Sequence, residues 1–293
     1  IGGDVYAAVG FTMAGEFSTA GIAAWDGAAW RTLGGDLQRT QPDGTPLPSG
    51  AAKLATGSEA LYVVGPFNLA GGEAAWGVAG YEYATGQWFG VVDPGPHNGI
   101  RAYPFAEAGG LISYCRGNVY QVGEEFATGV VTWNGARWDL RNAEEHRVRG
   151  VVFAIAVSGT DTYIAGSFSG IGSVAANNIA RWDGSQWYPL GTGIGGVVTS
   201  IAVDDSDVYV GGEFGQAGNV SVNNIAKWDG TSWLALGEGN ENGLRGDFAV
   251  VNAIHASSGR VYVGGFFSDA GNIAANNVAI WNGSQWSSLG AGG

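Results

Sequence analysis

Cysteine is almost missing: Cys115 stands alone among 293 residues, so no disulfide can close within the chain. Histidine is nearly as scarce, with His97, His146 and His255. No HExxH spacing joins them, and no GxSxG elbow or phosphate loop occurs, so the common zinc, serine-nucleophile and nucleotide signatures are wanting. No metal and no cofactor is expected. Charge is thin too, at 13% of residues, and lopsided: 13 Lys and Arg stand against 26 Asp and Glu, a net of −13. Nucleic-acid phosphates demand clustered cations, so this balance argues against such a partner. Solubility is the plainer meaning of the acidity. No stretch nears the ~18 consecutive apolar residues of a membrane span. The sequence opens at Ile1, with neither an initiator Met nor a signal peptide. That reads as a processed or trimmed product and leans towards secretion.

Glycine is abundant, at 53 residues, and so is aromatic surface, with 12 Trp, 11 Tyr and 12 Phe. These rings can fill a substantial core, and they recur in order. Residues 163–191 read YIAGSFSGIGSVAANNIARWDGSQWYPLG, and residues 209–237 and 262–290 follow the same pattern without gaps. Residues 6–34 keep the spacing, and residues 62–90 keep it less well, with Tyr81 in place of the first Trp. A third copy, from Tyr120 to Trp138, has lost its middle. The second Trp of each copy falls at 30, 88, 138, 187, 233 and 286, at intervals of 46 to 58 residues. A period in this range without helical periodicity points to propeller blades. Each copy supplies four short strands: A (as in Ile201–Val203), B (Val208–Gly211), C (Ile225–Trp228) and D (Trp233–Leu236). Asp229 and Gly230 offer the tight turn between C and D. The expected fold is all-β, a six-bladed β-propeller with four antiparallel strands per blade, as one domain over 1–293. The blades fall at about 1–35, 50–92, 109–140, 151–191, 197–237 and 249–290.

The Gly211–Gly212 pair closing strand B and the Trp opening strand D resemble a kelch-type repeat. The fuller pattern, YVGGxFxxAGxxxxNNIAxWDGxxWxxLG, is similar to repeats of large bacterial surface proteins and of fungal cortical landmark proteins of cell polarity. The resemblance covers nearly the whole chain. It implies the fold and an extracellular or cell-surface setting, and little about a ligand. It also implies that the D-to-A and B-to-C connections share one face. The first blade shows no inner strand, because the chain opens at its strand B. A removed N-terminus, a three-stranded blade or a strand donated by a neighbour would each account for this. An unpaired edge there would permit self-association.

The D-to-A connections vary most, with long ones at 35–50, 93–108 and 141–150 and a moderate one at 238–248. Variable loops on a rigid repeat are where binding sits. They gather Arg39, Arg101, Arg141, Arg147, Arg149 and Arg245, together with His97 and His146. Arg101, Arg147, Arg149 and Arg245 are the candidate ring around a pocket for an acidic glycan. The plainer alternative pairs these arginines with loop carboxylates such as Glu144, Glu145, Glu241 and Asp247. Eleven Trp occupy the two repeat slots and are assigned to packing. Trp76 alone stands off the repeat, where later copies have Asn177, Asn223 and Asn276, and is a candidate for stacking on a sugar ring. The recurring Asn pairs and the Asp of each WDG turn are assigned to loop structure. Asp204, Asp205 and Asp207 lack the Gly and distal Glu of a calcium loop. Asn219–Val220–Ser221 and Asn282–Gly283–Ser284 are glycosylation sequons, meaningful only in a eukaryotic secretory host. Arg245–Gly246–Asp247 spells a tripeptide common by chance. Tyr114 beside Cys115 does not match the crosslinked pair of copper radical oxidases, whose partners are not adjacent.

These features favour a non-catalytic role. The chain reads as a secreted or cell-surface module for binding, adhesion or coat formation, directed at a glycan or protein. The enzymatic alternative is a polysaccharide lyase or hydrolase with His97 or His146 as base. Specific function is expected on the first half of the ring, where the repeats have drifted.

Overall fold

The computed structural model describes residues 4–8, 11–19, 21–51, 53–75, 77–91, 105–108, 111–122, 125–133, 138–139, 144–239 and 242–289, with backbone alone over 105–139. Among them every regular element is a β-strand, and no helix is long and apolar enough to cross a membrane. The chain falls into two compact units. One comprises Ile1–Tyr114, Val119–Ala127 and Val131–Leu140, and the other comprises Cys115–Asn118, Thr128–Val130 and Arg141–Gly293.

In the second unit the fourth repeat lays Val148–Ser158, Asp161–Ile171, Ile179–Trp182 and Trp187–Pro189 side by side as strands A to D. The fifth repeats this with Ile194–Asp204, Asp207–Ala217, Ile225–Trp228 and Trp233–Leu234. The sixth uses Val250–Ser257, Arg260–Phe266, Val278–Trp281 and Trp286–Ser288. The first unit holds the four-stranded sheet Lys53–Thr56, Ala60–Val64, Val78–Glu82 and Trp88–Gly90. A further four-stranded sheet runs Phe105–Ala108, Leu111–Val122, Glu125–Trp133 and Trp138–Asp139. The first repeat contributes three strands among the described residues, Val5–Ala7, Ala23–Trp25 and Trp30–Arg31.

The glycine pair of strand B has a steric cause. Strand A bulges opposite it, with register shifts between Val152 and Ala154, Val198 and Ser200, and Val251 and Ala253. The extra residue pushes the strand A backbone towards its neighbour. A Cβ on Gly212 would lie 2.0 Å from the Val197 carbonyl oxygen, and one on Gly166 or Gly265 would lie 2.1 Å from the matching carbonyl. Only glycine admits this approach.

The two Trp slots face each other across strands C and D. Trp182 pairs with Trp187, Trp228 with Trp233 and Trp281 with Trp286, with ring centroids 5.3–5.4 Å apart and the planes tilted. Tyr81 takes the same place opposite Trp88. The strand D ring also reaches the preceding repeat. Trp233 Nε1 donates to the Leu190 carbonyl and Trp286 Nε1 to the Leu236 carbonyl, each at 2.9 Å, and Trp88 Nε1 donates to that of Leu33. These buried N–H groups thus find acceptors while the rings pack, as an interior indole requires.

The junctions of the fourth with the fifth repeat and of the fifth with the sixth each have an apolar cluster. Tyr163, Ile179 and Leu190 of the fourth repeat join Ile194, Val198 and Val210 of the fifth. Tyr209, Ile225 and Leu236 of the fifth join Leu244, Val251 and Val263 of the sixth. Burying one such aliphatic side chain contributes about 1.5–3 kcal/mol.

Candidate functional site

The segments expected as open D-to-A loops are partly strands. In the second, fourth, fifth and sixth repeats strand B is followed by a short hairpin, and the incoming D-to-A segment pairs with it. Val148 pairs with Ile171, Ile194 with Ala217, and Leu244 and Arg245 with Ala270 and Asp269. In the second repeat Leu37 and Gln38 pair with Ala70 and Leu69, and Leu37–Thr40 turns back through Pro46–Pro48. One face of each of these repeats therefore carries a small sheet where sequence patterning suggested loose chain. The hairpin tips are glycines with φ between 54° and 60° at Gly15, Gly71, Gly172, Gly218 and Gly271. A side chain there would need the costly left-handed conformation.

The asparagine pairs fasten this face from one repeat to the next. Asn178 and Asn224 both sit at φ 63°, which asparagine tolerates better than most residues. Asn178 Oδ1 accepts from the Phe168 N–H, and its Nδ2 donates to the Ile194 carbonyl at 2.8 Å. The Ile194 N–H in turn donates to the Asn177 carbonyl at 3.0 Å. The next junction repeats the arrangement. Asn224 Nδ2 donates to the Leu244 carbonyl at 3.0 Å, and the Leu244 N–H donates to the Asn223 carbonyl at 2.9 Å. The first Asn of each pair adds a bond to the Thr192 or Asn242 carbonyl. In the first and second repeats Gly21 and Gly77 hold the same left-handed slot, with φ 79° and 89°. A groove of about 540 Å³ lies beside the first clip, lined by Asn177, Thr192, Gly195, Gln216 and Asn219 among others. Its lining is amide, hydroxyl, glycine backbone and Ile194, without a charged side chain.

The candidate arginines take different places. Arg149 donates through Nη1 to the Gly172 carbonyl and through Nη2 to the Val174 carbonyl at 3.0 Å, capping the hairpin of its own repeat. Its guanidinium lies over Gly170, where a Cβ would collide with it. Arg245 fills the matching position two repeats on and donates to the Gly271 carbonyl. In the fifth repeat the exchange is reversed: Gly195 stands in the arginine slot, and Gln216 caps the Gly218 carbonyl at 3.0 Å from the opposite strand. These two arginines therefore serve separate hairpins through backbone carbonyls. Half-buried on its hairpin, Arg245 does not present the Arg–Gly–Asp tripeptide to solvent as a unit. Arg147 is exposed. Arg101, Trp76 and His97 lie outside the described residues.

His146 is not on an open loop. It is 2% exposed, set edge-on against Trp182 and Trp187, and its Nδ1 accepts from Trp187 Nε1 at 2.9 Å. It thus replaces the leucine carbonyl that serves Trp88, Trp233 and Trp286. This bond requires Nδ1 to be bare and places the ring out of a substrate's reach.

Several acidic groups are likewise engaged. Asp204 accepts from the Ser258 and Gly259 N–H groups of the next repeat, and Asp207 pairs with Lys227 at 2.6 Å. Asp161 and Arg181 make the equivalent pair at 2.7 Å in the fourth repeat. Asp26, Asp183 and Asp229 cap their WDG turns through two backbone N–H groups each, which hold their carboxyls below the usual range. Burial, with Asp207 adding to it, pushes the Tyr209 phenol up to about 12. Among the described residues no three His, Cys, Asp or Glu gather as a metal site.

One conspicuous residue escaped the pattern reading. Phe248 is 96% exposed and holds φ 60°. Five residues separate Leu244 from Val250, against two between Ile194 and Val197 at the same paired positions. Phe248 sits in that insertion, which aligning the Tyr-to-Leu segments leaves out of view.

No family model matches the chain, and no curated protein does. Among solved structures it is similar to PorZ of Porphyromonas gingivalis, described as an essential bacterial surface component of the type-IX secretion system. Identity is 12% and the TM-score 0.53, over 97% of this chain and 40% of that one. This chain spans well under half the length of PorZ, and at that identity the likeness is one of fold.

Proposed function

We propose that residues 1–293 form a single six-bladed, kelch-like β-propeller that acts outside the cell or on its surface as a non-catalytic binding module. The face that binds is the one carrying the small sheets. The observation that carries this reading is the Asn-clipped face of the fourth to sixth repeats: paired strands, capped hairpins and bonds between repeats make a rigid platform, on which variable segments such as the insertion at Phe248 are displayed. Rigid scaffolds with variable loops are the usual architecture of recognition. The likeness to a bacterial surface component supports the setting. The ligand is a protein or a glycan. Trp76, Arg101 and Arg147 are its proposed contacts, with Arg149 and Arg245 shaping the hairpins beside them.

The lyase alternative loses support because His146, one of its two candidate bases, is buried against tryptophan. A glycan array combined with a polysaccharide degradation assay tests the reading. Binding without release of unsaturated sugars is the expected result. Release that disappears in His97→Ala would overturn the non-catalytic role.

A further inference from the structure

In the fourth and sixth repeats an arginine of the incoming segment lies on the hairpin that follows strand B. Arg149 caps the Gly172 and Val174 carbonyls, and Arg245 caps that of Gly271. The fifth repeat has Gly195 in this slot, bulged between Ile194 and Gly196 as Arg149 is between Val148 and Gly150. Gln216 caps the hairpin from the facing strand instead, with Nε2 3.0 Å from the Gly218 carbonyl. The exchange removes a cation and substitutes a shorter side chain, and the groove of about 540 Å³ lies at this place. That volume is within the range of small-molecule sites. The backbone does not demand glycine here. Gly195 lies outside the left-handed region, and a Cβ on it would meet only the Gln216 side chain closely, at 3.3 Å. The opening is therefore a consequence of residue choice, and a larger residue could close it.

The lining decides what can enter. Asn177, Thr192, Gln216 and Asn219 bring amides and a hydroxyl, and no charged side chain takes part. Asn177 and Gln216 spend their amide nitrogens on the Thr192 and Gly218 carbonyls, which leaves Asn177 Oδ1 and Gln216 Oε1 to accept. The Thr192 hydroxyl and the Asn219 amide are exposed and make no hydrogen bond among the described residues. An anion would find no cation here, and a cation no carboxylate. A peptide strand would find no edge to extend, because Ile194 and Gly196 pair with Ala217 and Phe214, and the Ile194 N–H and C=O are bonded to the Asn pair. Its side chains would find no apolar seat either, since Ile194 is 2% exposed. A neutral ligand dense in hydroxyls fits what remains, because hydroxyls and amide side chains both donate and accept. Gly193, Gly195 and Gly196 carry no side chain, so a sugar ring can approach the backbone closely.

We propose that this groove, where the fourth repeat meets the fifth, is a binding site for a neutral oligosaccharide. Its hydrogen-bonding groups are the Asn219 amide, the Thr192 hydroxyl, Asn177 Oδ1 and Gln216 Oε1. Every lining residue belongs to the second compact unit and is described. The proposal rests on the binding-module reading and deepens it, naming the ligand as an uncharged glycan. It also moves the seat of that ligand from the arginines to the one well-copied repeat whose hairpin lacks one.

The test titrates the isotope-labelled full chain with neutral tetrasaccharides of glucose, mannose, galactose and N-acetylglucosamine, followed by nuclear magnetic resonance. Tetragalacturonate serves as the acidic arm. Saturable binding of at least one neutral sugar is expected, with shifts in the side-chain amide signals of Asn177, Gln216 and Asn219. The affinity should not change with added salt, because no ion pair is involved. Gly195→Arg, which restores the residue of the matching slots, should weaken binding at least tenfold. Asn219→Ala removes an exposed amide with no protein bond to lose, so the fold is spared, and should weaken binding about fivefold, the worth of one neutral hydrogen bond. Asn272→Ala, at the matching hairpin position of the sixth repeat, should leave the affinity unchanged. Failure of every neutral sugar to bind, or binding that survives both Gly195→Arg and Asn219→Ala, would overturn the proposal. So would an affinity that falls as salt rises. Capture of tetragalacturonate by a chain that ignores the neutral sugars would sink this groove alone and leave the binding module standing.

Discussion

Asp183 shows how much of this chain's chemistry is turn chemistry. Its Oδ1 accepts from the Ser185 and Gln186 N–H groups at 2.8 and 2.9 Å, donors that favour the anion and hold its carboxyl below the usual range. Asp26 and Asp229 do the same. The folded pKa values lie below the unfolded one of about 3.9. The stabilisation is therefore present above about pH 4 and is lost as pH falls through the folded values. Asn282 fills the equivalent turn without charge, accepting from Ser284 and Gln285. The triple variant Asp26→Asn, Asp183→Asn, Asp229→Asn should therefore lose less Tm than the parent between about pH 5 and pH 2. Parallel melting curves would count against the mechanism. Tyr209 makes the opposite prediction at high pH. Its phenol is pushed up to about 12, so its contribution is full below the unfolded value of about 10 and is lost as pH rises towards the folded one. Ultraviolet titration should show late tyrosine absorbance, shared with Tyr6 and Tyr163, that Tyr209→Phe reduces. The turn role was legible in the sequence, because WDG recurs with the strands. The duty of Arg149 was not, because its partners are backbone carbonyls and a carbonyl leaves no letter in a sequence.

Among the elements, the Asn clip is the part whose existence was legible and whose target was not. Three Asn pairs in register announce structure, yet only the fold reveals that Asn224 Nδ2 reaches Leu244, 20 residues away. The alternation of strand residues gave strands A to D. The small sheets were missed because the incoming segments contribute only one or two paired residues, too few for any period to register. Two substitutions separate the backbone and side-chain parts of the clip. Asn224→Gly keeps φ 63° and removes the bonds to Phe214 and Leu244, which should cost about 1–3 kcal/mol. Asn224→Ala removes the same bonds and adds left-handed strain, about 1–2 kcal/mol more. Urea denaturation of both variants measures the gap. Equal stabilities would mean that the turn relaxes out of the left-handed region.

At the scale of the whole molecule the sequence reading reaches furthest beyond the described residues. The repeat predicts one ring of six, and the proposal keeps that ring, while the described residues resolve into two compact units. Ring closure depends on surfaces that the repeat pattern cannot rank. Val278 and Leu289 carry the same letters' worth of signal as Ile225 and Leu236, yet they stand exposed. Apolar surface of this kind is costly unless something covers it, so a closed and fully covered arrangement should be measurably compact. A single compact domain of 293 residues has a radius of gyration of about 19 Å by chain-length scaling. Small-angle scattering on the chain should approach that value with a single-peaked pair-distance distribution. A clearly larger radius with a shoulder at long distance would mean two bodies rather than one ring. In that case the six repeats would share a blade design without sharing an axis.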